Sequence, residues 1–529
     1  MSRKQILFIV AFNLLIAIGF YLDNLGVGFS ELSTDSQNAI PVCYKIDDPD
    51  LFKEDLYLNT LDNVKYYTPF YIETIRFFSK ISEGDYIAGI NFFATILHFL
   101  YGVLWFLGFY VFFKKDFWIS FLLSVIVRGI VWLPGYEIWG ISDLWTIMPR
   151  TFYIAFLPIP FLFLHKAEKS VKYLLLAFFT IGLIFNFHPI TGIGGVLLFL
   201  GVVGGYCVFH KEQINFKALL IGLIMMVLGM LPFVMTYFTK TDTSVQYDLN
   251  DYALAFNARI PSFFTDISKY SLQWLKPKTL FFVLPILGLF ILSFYKNKYK
   301  KTFWIVFIAF IFTMIFPLLS IVVENFINNQ FDKNLRMSFQ LVRAQKTMIV
   351  LGLFSLGILL IEAAKKFSEK TKAIGVLTFV ALVAFSKLSV FNNIPFFSDD
   401  ISRTVFPMFS EIIAKPESKL KPIDRLSVFI EKNTHQDALF ADYFILRSAA
   451  KRSVILDGKG ASMLIEGNPH QFINWYKNLN ELKSSKNFQD SIQYYKEKGV
   501  DYLIFEKERK KKELELTYNE DNLFLYKIN

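Results

Sequence analysis

Residues 31–55, ELSTDSQNAIPVCYKIDDPDLFKED, hold seven carboxylates in twenty-five positions, and Asp35 and Asp55 are those for which a chemical role stands open beside a structural one. A carboxylate within hydrogen-bond reach of a hydroxyl can take its proton as the oxygen attacks carbon. Asp47, Asp48 and Asp50 surround Pro49 and read more simply as an Asp-Pro turn. The cations that could answer an anionic leaving group are Arg128, Arg150, Arg259, Arg336 and Arg343. Arginine suits phosphate because its planar fork can hold two oxygens at once. His188 in NFHPITG and Asp143 complete the candidate set. Each has a plainer alternative: Asp35 a loop or cap residue, His188 a cap before Pro189, Arg150 and Arg343 interface anchors, and Arg128 a snorkelling side chain. No histidines lie one helical turn apart and no cysteines pair, so no zinc-type site is spelled out. Carboxylates alone can hold Mg²⁺ or Mn²⁺, so the need for a divalent metal stays unknown at this level.

The elements that must position these residues are set by composition. Of 529 residues, 54% are hydrophobic and 19% charged, below the roughly 25% charged usual in soluble domains. The chain reads as a polytopic α-helical membrane protein. Runs long enough for a hydrocarbon core of about 30 Å occur near 5–22, 87–113, 117–133, 150–165, 172–187, 190–209, 217–238, 279–295, 302–324, 345–363 and 373–390, which is about eleven transmembrane helices. Alternate connectors such as YKNKYKK and AAKKFSEKTK are basic, whereas loop 23–86 carries 12 acidic residues against 5 basic ones. By the positive-inside rule the N-terminus is inside and loop 23–86 outside. The first segment lacks a small-residue cleavage site and reads as a retained helix. Residues 1–394 form the transmembrane helical domain, including the acidic outer loop 23–86. Residues 395–529 lose hydrophobicity and alternate short apolar strands (DALFADYF, RSVILDGKG, GVDYLIFEK) with helical stretches, which predicts a soluble extracytoplasmic α/β domain. The final NLFLYKIN is expected as an edge strand, and EKERKKKELEL as an exposed helix or turn.

The order of these segments resembles the GT-C class of multi-pass membrane glycosyltransferases. TDSQNAIPVCYKIDDPDLFKEDLYLN is similar to a first-loop pattern in which an early Asp is followed by DP-x-LF and another Asp. PRTFYIAFLPIPFLFL, FNFHPITGIGGVLLFL, and FIEKNTHQDALF followed by AAKRSVILDGKG are similar to later segments of uncharacterised bacterial-type members. The resemblance implies an inverting transfer of a sugar from a polyprenyl-phosphate donor to an acceptor at the outer face of a bacterial-type inner membrane. It puts Asp35 in the place of the general base and Asp55, with Glu54 beside it, in that of the second acid. The class often carries two neighbouring acids at the first position, whereas Asp35 is followed by Ser36 and Gln37. The implied partners are a lipid-linked sugar donor, membrane lipids, and an acceptor glycan, lipid or protein whose identity the sequence does not carry.

Two other readings remain at this level: a lipid or solute transporter or flippase, and a non-catalytic scaffold in envelope assembly. Transporters commonly show matching halves with broken helices, and no such repeat is visible. The net charge of +10 does not argue for nucleic acid. The cations concentrate in connectors beside lipid, where insertion and anionic headgroups account for them.

Overall fold

The computed structural model describes residues 1–64, 68–128, 148–167, 169–209, 216–238, 247–260, 266–331, 335–336, 338–384 and 420–529. The contacts divide the chain into two compact units, one of Met1–Asp23, Asn91–Phe233 and Ser262–Ala414, the other of Asn24–Ile90, Val234–Pro261 and Lys415–Asn529. The acidic first loop therefore belongs to the same unit as the C-terminal α/β segment.

In the first unit and its extensions, six helices among the described residues are long and apolar enough to cross a membrane: Arg3–Asp23, Tyr86–Phe112, Pro189–Phe209, Phe216–Phe238, Asn297–Phe331 and Ser338–Ala364. Three shorter apolar helices accompany them, Phe117–Ile126, Val171–Phe185 and Thr279–Tyr295. The run expected as one span over 150–165 is divided into Pro149–Phe156 and Pro158–Lys166. The break follows from the prolines, which have no N–H to donate and favour the first turn of a new helix. On Phe216–Phe238, Leu220, Ile224, Val227, Leu231 and Met235 are exposed, an apolar stripe suited to lipid. Its other face, Ala218, Gly222, Met226 and Gly229, is buried, the small-residue spacing by which helices approach closely in a bilayer. These exposed apolar faces identify an integral membrane protein.

Pro232 interrupts that helix, and the side chain of Asn186 repairs the damage. Its Nδ2 donates to the Gly229 carbonyl at 2.8 Å and its Oδ1 accepts from Phe233 N–H at 2.8 Å, replacing the backbone bond between them. Asn186 is fully buried, so this bridge pins the turn Asn186–His188 that leads into Pro189–Phe209.

The second unit is built on a five-stranded sheet in the order β2-β1-β3-β5-β4. Its strands are β1 Leu439–Ala441, β2 Ser453–Ile455, β3 Tyr502–Phe505, β4 Leu514–Glu520 and β5 Leu523–Ile528. β1 pairs in parallel with β2 and β3, while β5 pairs antiparallel with both β3 and β4. The period of two sorts the core: Phe440, Val454, Tyr502, Ile504 and Leu525 pack on one face, and Leu439, Ala441, Leu503 and Tyr526 on the other. The final strand is thus interior rather than at the edge, because a fifth strand, β4, follows the basic run and covers it. Asp521 and Asn522 both take positive φ, 53° and 63°, the geometry of a tight two-residue hairpin turn. Against this sheet unit lies the helix Thr34–Asp47, capped by Ser33, whose side chain accepts from Ser36 N–H.

Candidate functional site

Two of the five arginines expected from the sequence, Arg150 and Arg343, are brought together with His188 at one place in the first unit. Arg150 sits in the first turn of Pro149–Phe156, after Met148, to whose Sδ its Nε and Nη2 donate. His188 stands immediately before Pro189, the first residue of the helix Pro189–Phe209. Its Nδ1 accepts from Thr191 N–H at 3.1 Å and lies 2.7 Å from Thr191 Oγ1. The expected capping role is therefore met by Nδ1, and in the neutral ring the proton belongs on Nε2. Arg343 opens the short 3₁₀ turn Arg343–Thr347 and donates Nη1 to Gln340 Oε1 at 2.6 Å. That turn lies directly on Pro189–Phe209: Thr347 Oγ1 donates to Gly194 O at 3.1 Å. A Cβ on Gly194 would stand 2.7 Å from the Ala344 carbonyl, so glycine is what permits the crossing.

Arg150, His188, Thr191, Arg343, Lys346 and Thr347 line a small cavity at this crossing, with no carboxylate in the lining among the described residues. Lys346 is 8% exposed. Three cations, a histidine and two hydroxyls thus share one lining, and arginine is a side chain suited to anionic oxygens. The helix starts at Pro149 and Pro189 add the positive ends of two peptide dipoles.

Arg128 is elsewhere in the same unit. It is fully buried, and its Nη2 donates to Asn13 Oδ1 and to the His98 carbonyl, both at 2.8 Å. The Tyr101 ring lies 5.8 Å from its guanidinium carbon. His98 stacks on Phe20 at 3.7 Å, so it is a packing residue, as its lone position in the middle of a helix suggests. Arg128 cross-links three apolar segments and does not line the cationic cavity. Arg336 is half-buried between Asn297–Phe331 and Ser338–Ala364 and does not line it either. Asp143 lies outside the described residues.

In the second unit, Asp35 occupies the first turn of Thr34–Asp47 and is half-exposed. Its Oδ1 accepts from Lys459 Nζ at 2.7 Å. Lys459 comes from the first turn of the helix Gly458–Gly467, which follows β2. Arg259, the last residue of the helix Leu249–Arg259, donates Nε to the Gly458 carbonyl at the head of that helix. Burial lowers the Arg259 pKa from its ordinary value, against the pull of Asp457. Arg259 thus meets the elements around Asp35 and is not part of the cationic cavity.

Asp55 does not occupy the position of a second catalytic acid. It is 2% exposed, and its Oδ2 accepts from Arg447 Nε at 2.6 Å and Val454 N–H at 2.8 Å, while Oδ1 accepts from Tyr57 and Leu58 N–H at 3.0 Å each. Four donors leave it no oxygen for a substrate. Arg447 also binds Asp457 Oδ2 at 2.7 Å, and Asp457 caps Gly458–Gly467. Burial pulls Arg447 toward neutrality, but the carboxylates of Asp457 and Asp55 outweigh it and raise its pKa above the ordinary value. Glu54 is exposed beside this triad. Among the described residues, no three His, Cys, Asp or Glu side chains gather as metal ligands.

Two contributors escaped the sequence reading. Lys459 lies in DGKG at the C-terminal end of a parallel strand, the place where open α/β sheets present ligand-binding groups. Arg447 had no local signal, since its partners are 392 and 10 residues away.

No known family profile matches the chain, and no curated protein does. A solved structure does: the crystal structure of ArnT from Cupriavidus metallidurans in the apo state, with 11% sequence identity and a TM-score of 0.51, over 98% of this chain and 97% of that one. ArnT is a GT-C glycosyltransferase. The likeness is one of fold along the full length, and the chain has a GT-C-like architecture.

Proposed function

We propose that this protein is an inverting glycosyltransferase that moves a sugar from a polyprenyl-phosphate donor to an acceptor at the outer face of a bacterial-type inner membrane. The observation that carries the proposal is the convergence of Arg150, His188, Arg343 and Lys346 on one cavity. In this reading it receives the donor phosphate, and the exposed apolar helix faces accept the lipid tail. Asp35 is the general base. As the acceptor oxygen bonds to the anomeric carbon, its proton passes to the Asp35 carboxylate. The bond from that carbon to the phosphate oxygen breaks, its electron pair leaves with the phosphate, and the arginines stabilise the charge that develops there. Lys459 fixes the orientation of Asp35, and Arg259 buttresses the helix that carries Lys459. The ArnT-like fold supports the class of reaction, and the basic connectors support an outer placement of the acidic loop.

The test uses full-length protein in nanodiscs with undecaprenyl-phosphate sugars and a membrane-extract acceptor. Asp35→Asn should keep donor binding and abolish transfer. Arg343→Ala and Arg150→Ala should each weaken binding of undecaprenyl phosphate by about tenfold to a hundredfold, the value of one charged hydrogen-bonding partner. Unchanged lipid-phosphate binding in both arginine variants would remove the basis of the proposal.

A further inference from the structure

The second unit contains a cleft that the proposed transfer step does not use. It offers about 260 Å³ between residues 53–59, the strands β1 and β2, and the helix Pro469–Lys483. Its polar wall is formed by Lys53, Glu54, Asn59, Gln471, Asn478 and Lys498, together with Asp55, whose oxygens are already taken by protein donors. Each amide is held at one end and presents the other. Asn59 Oδ1 accepts from Thr60 N–H and Asn63 Nδ2, which leaves its Nδ2 to donate. Gln471 Nε2 donates to the Leu56 carbonyl at 3.1 Å, which leaves Oε1 to accept. Asn478 Oδ1 accepts from Lys498 Nζ at 2.9 Å, which leaves Nδ2 to donate. Glu54 is exposed and adds an acceptor. Trp475 and Leu456 supply an apolar patch, the indole held by its N–H on the Leu456 carbonyl at 3.1 Å and stacked on Phe472.

Fixed donors and acceptors in alternation, with opposite charges balanced and one apolar patch, select a particular ligand chemistry. A phosphorylated ligand would want uncommitted cations, whereas Lys53 is paired with Asp50 and Lys498 with Glu481. An apolar ligand would bury three amide groups without partners, at a cost comparable to its own binding. A polyhydroxylated ring satisfies them, because every hydroxyl both donates and accepts, while its C–H face meets the indole edge and Leu456. We infer that this cleft is a glycan-binding subsite that seats the sugar portion of the acceptor. The acceptor assignment rests on the proposed function, whereas the glycan-binding assignment rests on the cleft alone. The chain supports a link between the two: Leu456 lines the cleft, Asp457 next to it is held by Arg447, and Lys459 two residues further on holds Asp35.

The experiment is saturation-transfer NMR of the full-length protein in nanodiscs with four soluble trisaccharides of glucose, mannose, galactose and N-acetylglucosamine. At least one should bind saturably. Asn478→Ala and Glu54→Gln should each weaken it by about tenfold, the worth of one polar contact, and Asn59→Trp should block it by filling the cleft mouth. Resistance of the buried Cys43 thiol to maleimide checks that each variant is folded. Binding of none of the four sugars, or affinity unchanged in all three variants, overturns the inference. If trisaccharide binding is lost in the cleft variants but Asp35→Asn leaves product formation intact, the subsite stands and the proposed catalytic reading fails. If Asp35→Asn abolishes transfer while the cleft variants keep both sugar binding and acceptor KM, the subsite fails and the catalytic reading stands.

Discussion

Replacing Asp55 and Arg447 separates a structural ion triad from a catalytic acid. Both side chains are completely shielded from solvent, and one guanidinium serves two carboxylates, Asp55 and Asp457. Asp55→Asn leaves Arg447 and Asp457 as a balanced pair. It converts charge-assisted bonds, worth about 1.5–3 kcal/mol each, into weaker ones, and turns an amide N–H₂ toward backbone donors. A loss of about 3 kcal/mol follows. Arg447→Met is worse, because it strands two buried carboxylates, and removing one partner of a buried pair already costs about 3–5 kcal/mol. Cys43 reads out the effect: it is fully buried in the same unit, and burial pushes its thiol pKa up, so it reacts only when the unit opens. In a Cys207→Ala background, maleimide labelling of Cys43 should accelerate about a hundredfold in Asp55→Asn and about a thousandfold or more in Arg447→Met. If Asp55→Asn is labelled at the parent rate yet loses transfer, the structural reasoning is refuted and Asp55 is a catalytic acid.

Other perturbations address separate parts of the molecule. A Cβ at Gly102 would overlap Asn13 Oδ1 and Arg128 Nη2. Gly102→Ala should therefore cost about 1–3 kcal/mol or more through overpacking around a buried cation, seen as a lower melting temperature in detergent, and a parent-like melt would contradict the packing around Arg128. Asp442 keeps solvent-exposed surface, yet burial, reinforced by nearby Asp457, pushes its carboxyl pKa up to about 6. A pKa raised above the unfolded value gives stability that is full below about pH 4 and is lost as pH rises through about 6. Asp442→Asn should remove that loss, gaining about 1 kcal/mol at pH 8 after allowance for solvent screening. Asparagine also suits the residue's φ of 69°. Cys43 labelling at pH 8 that is no slower in the variant than in the parent would count against this assignment.

What could be read in advance follows the range of the forces involved. Apolar runs exclude water by composition, so six of the expected spans, including 5–22, 190–209 and 217–238, coincide with long helices. Where a span depended on a local breaker, the sequence held the answer in the same few letters, as Pro158 shows. Arg150, His188 and Arg343 stood out because ionisable groups are rare beside lipid. Their convergence on one cavity was not legible, since it depends on Gly194 letting the Arg343–Thr347 turn lie against another helix. The acidic loop misled in the opposite way. Carboxylates look alike in a sequence, but four donors saturate the buried Asp55, whereas Asp35 is half-exposed and meets Lys459. Those donors come from residues up to 399 positions away, so no local pattern could sort the two acids. Burial against a distant sheet, and not position in the acidic run, is what separates the saturated Asp55 from the half-exposed Asp35.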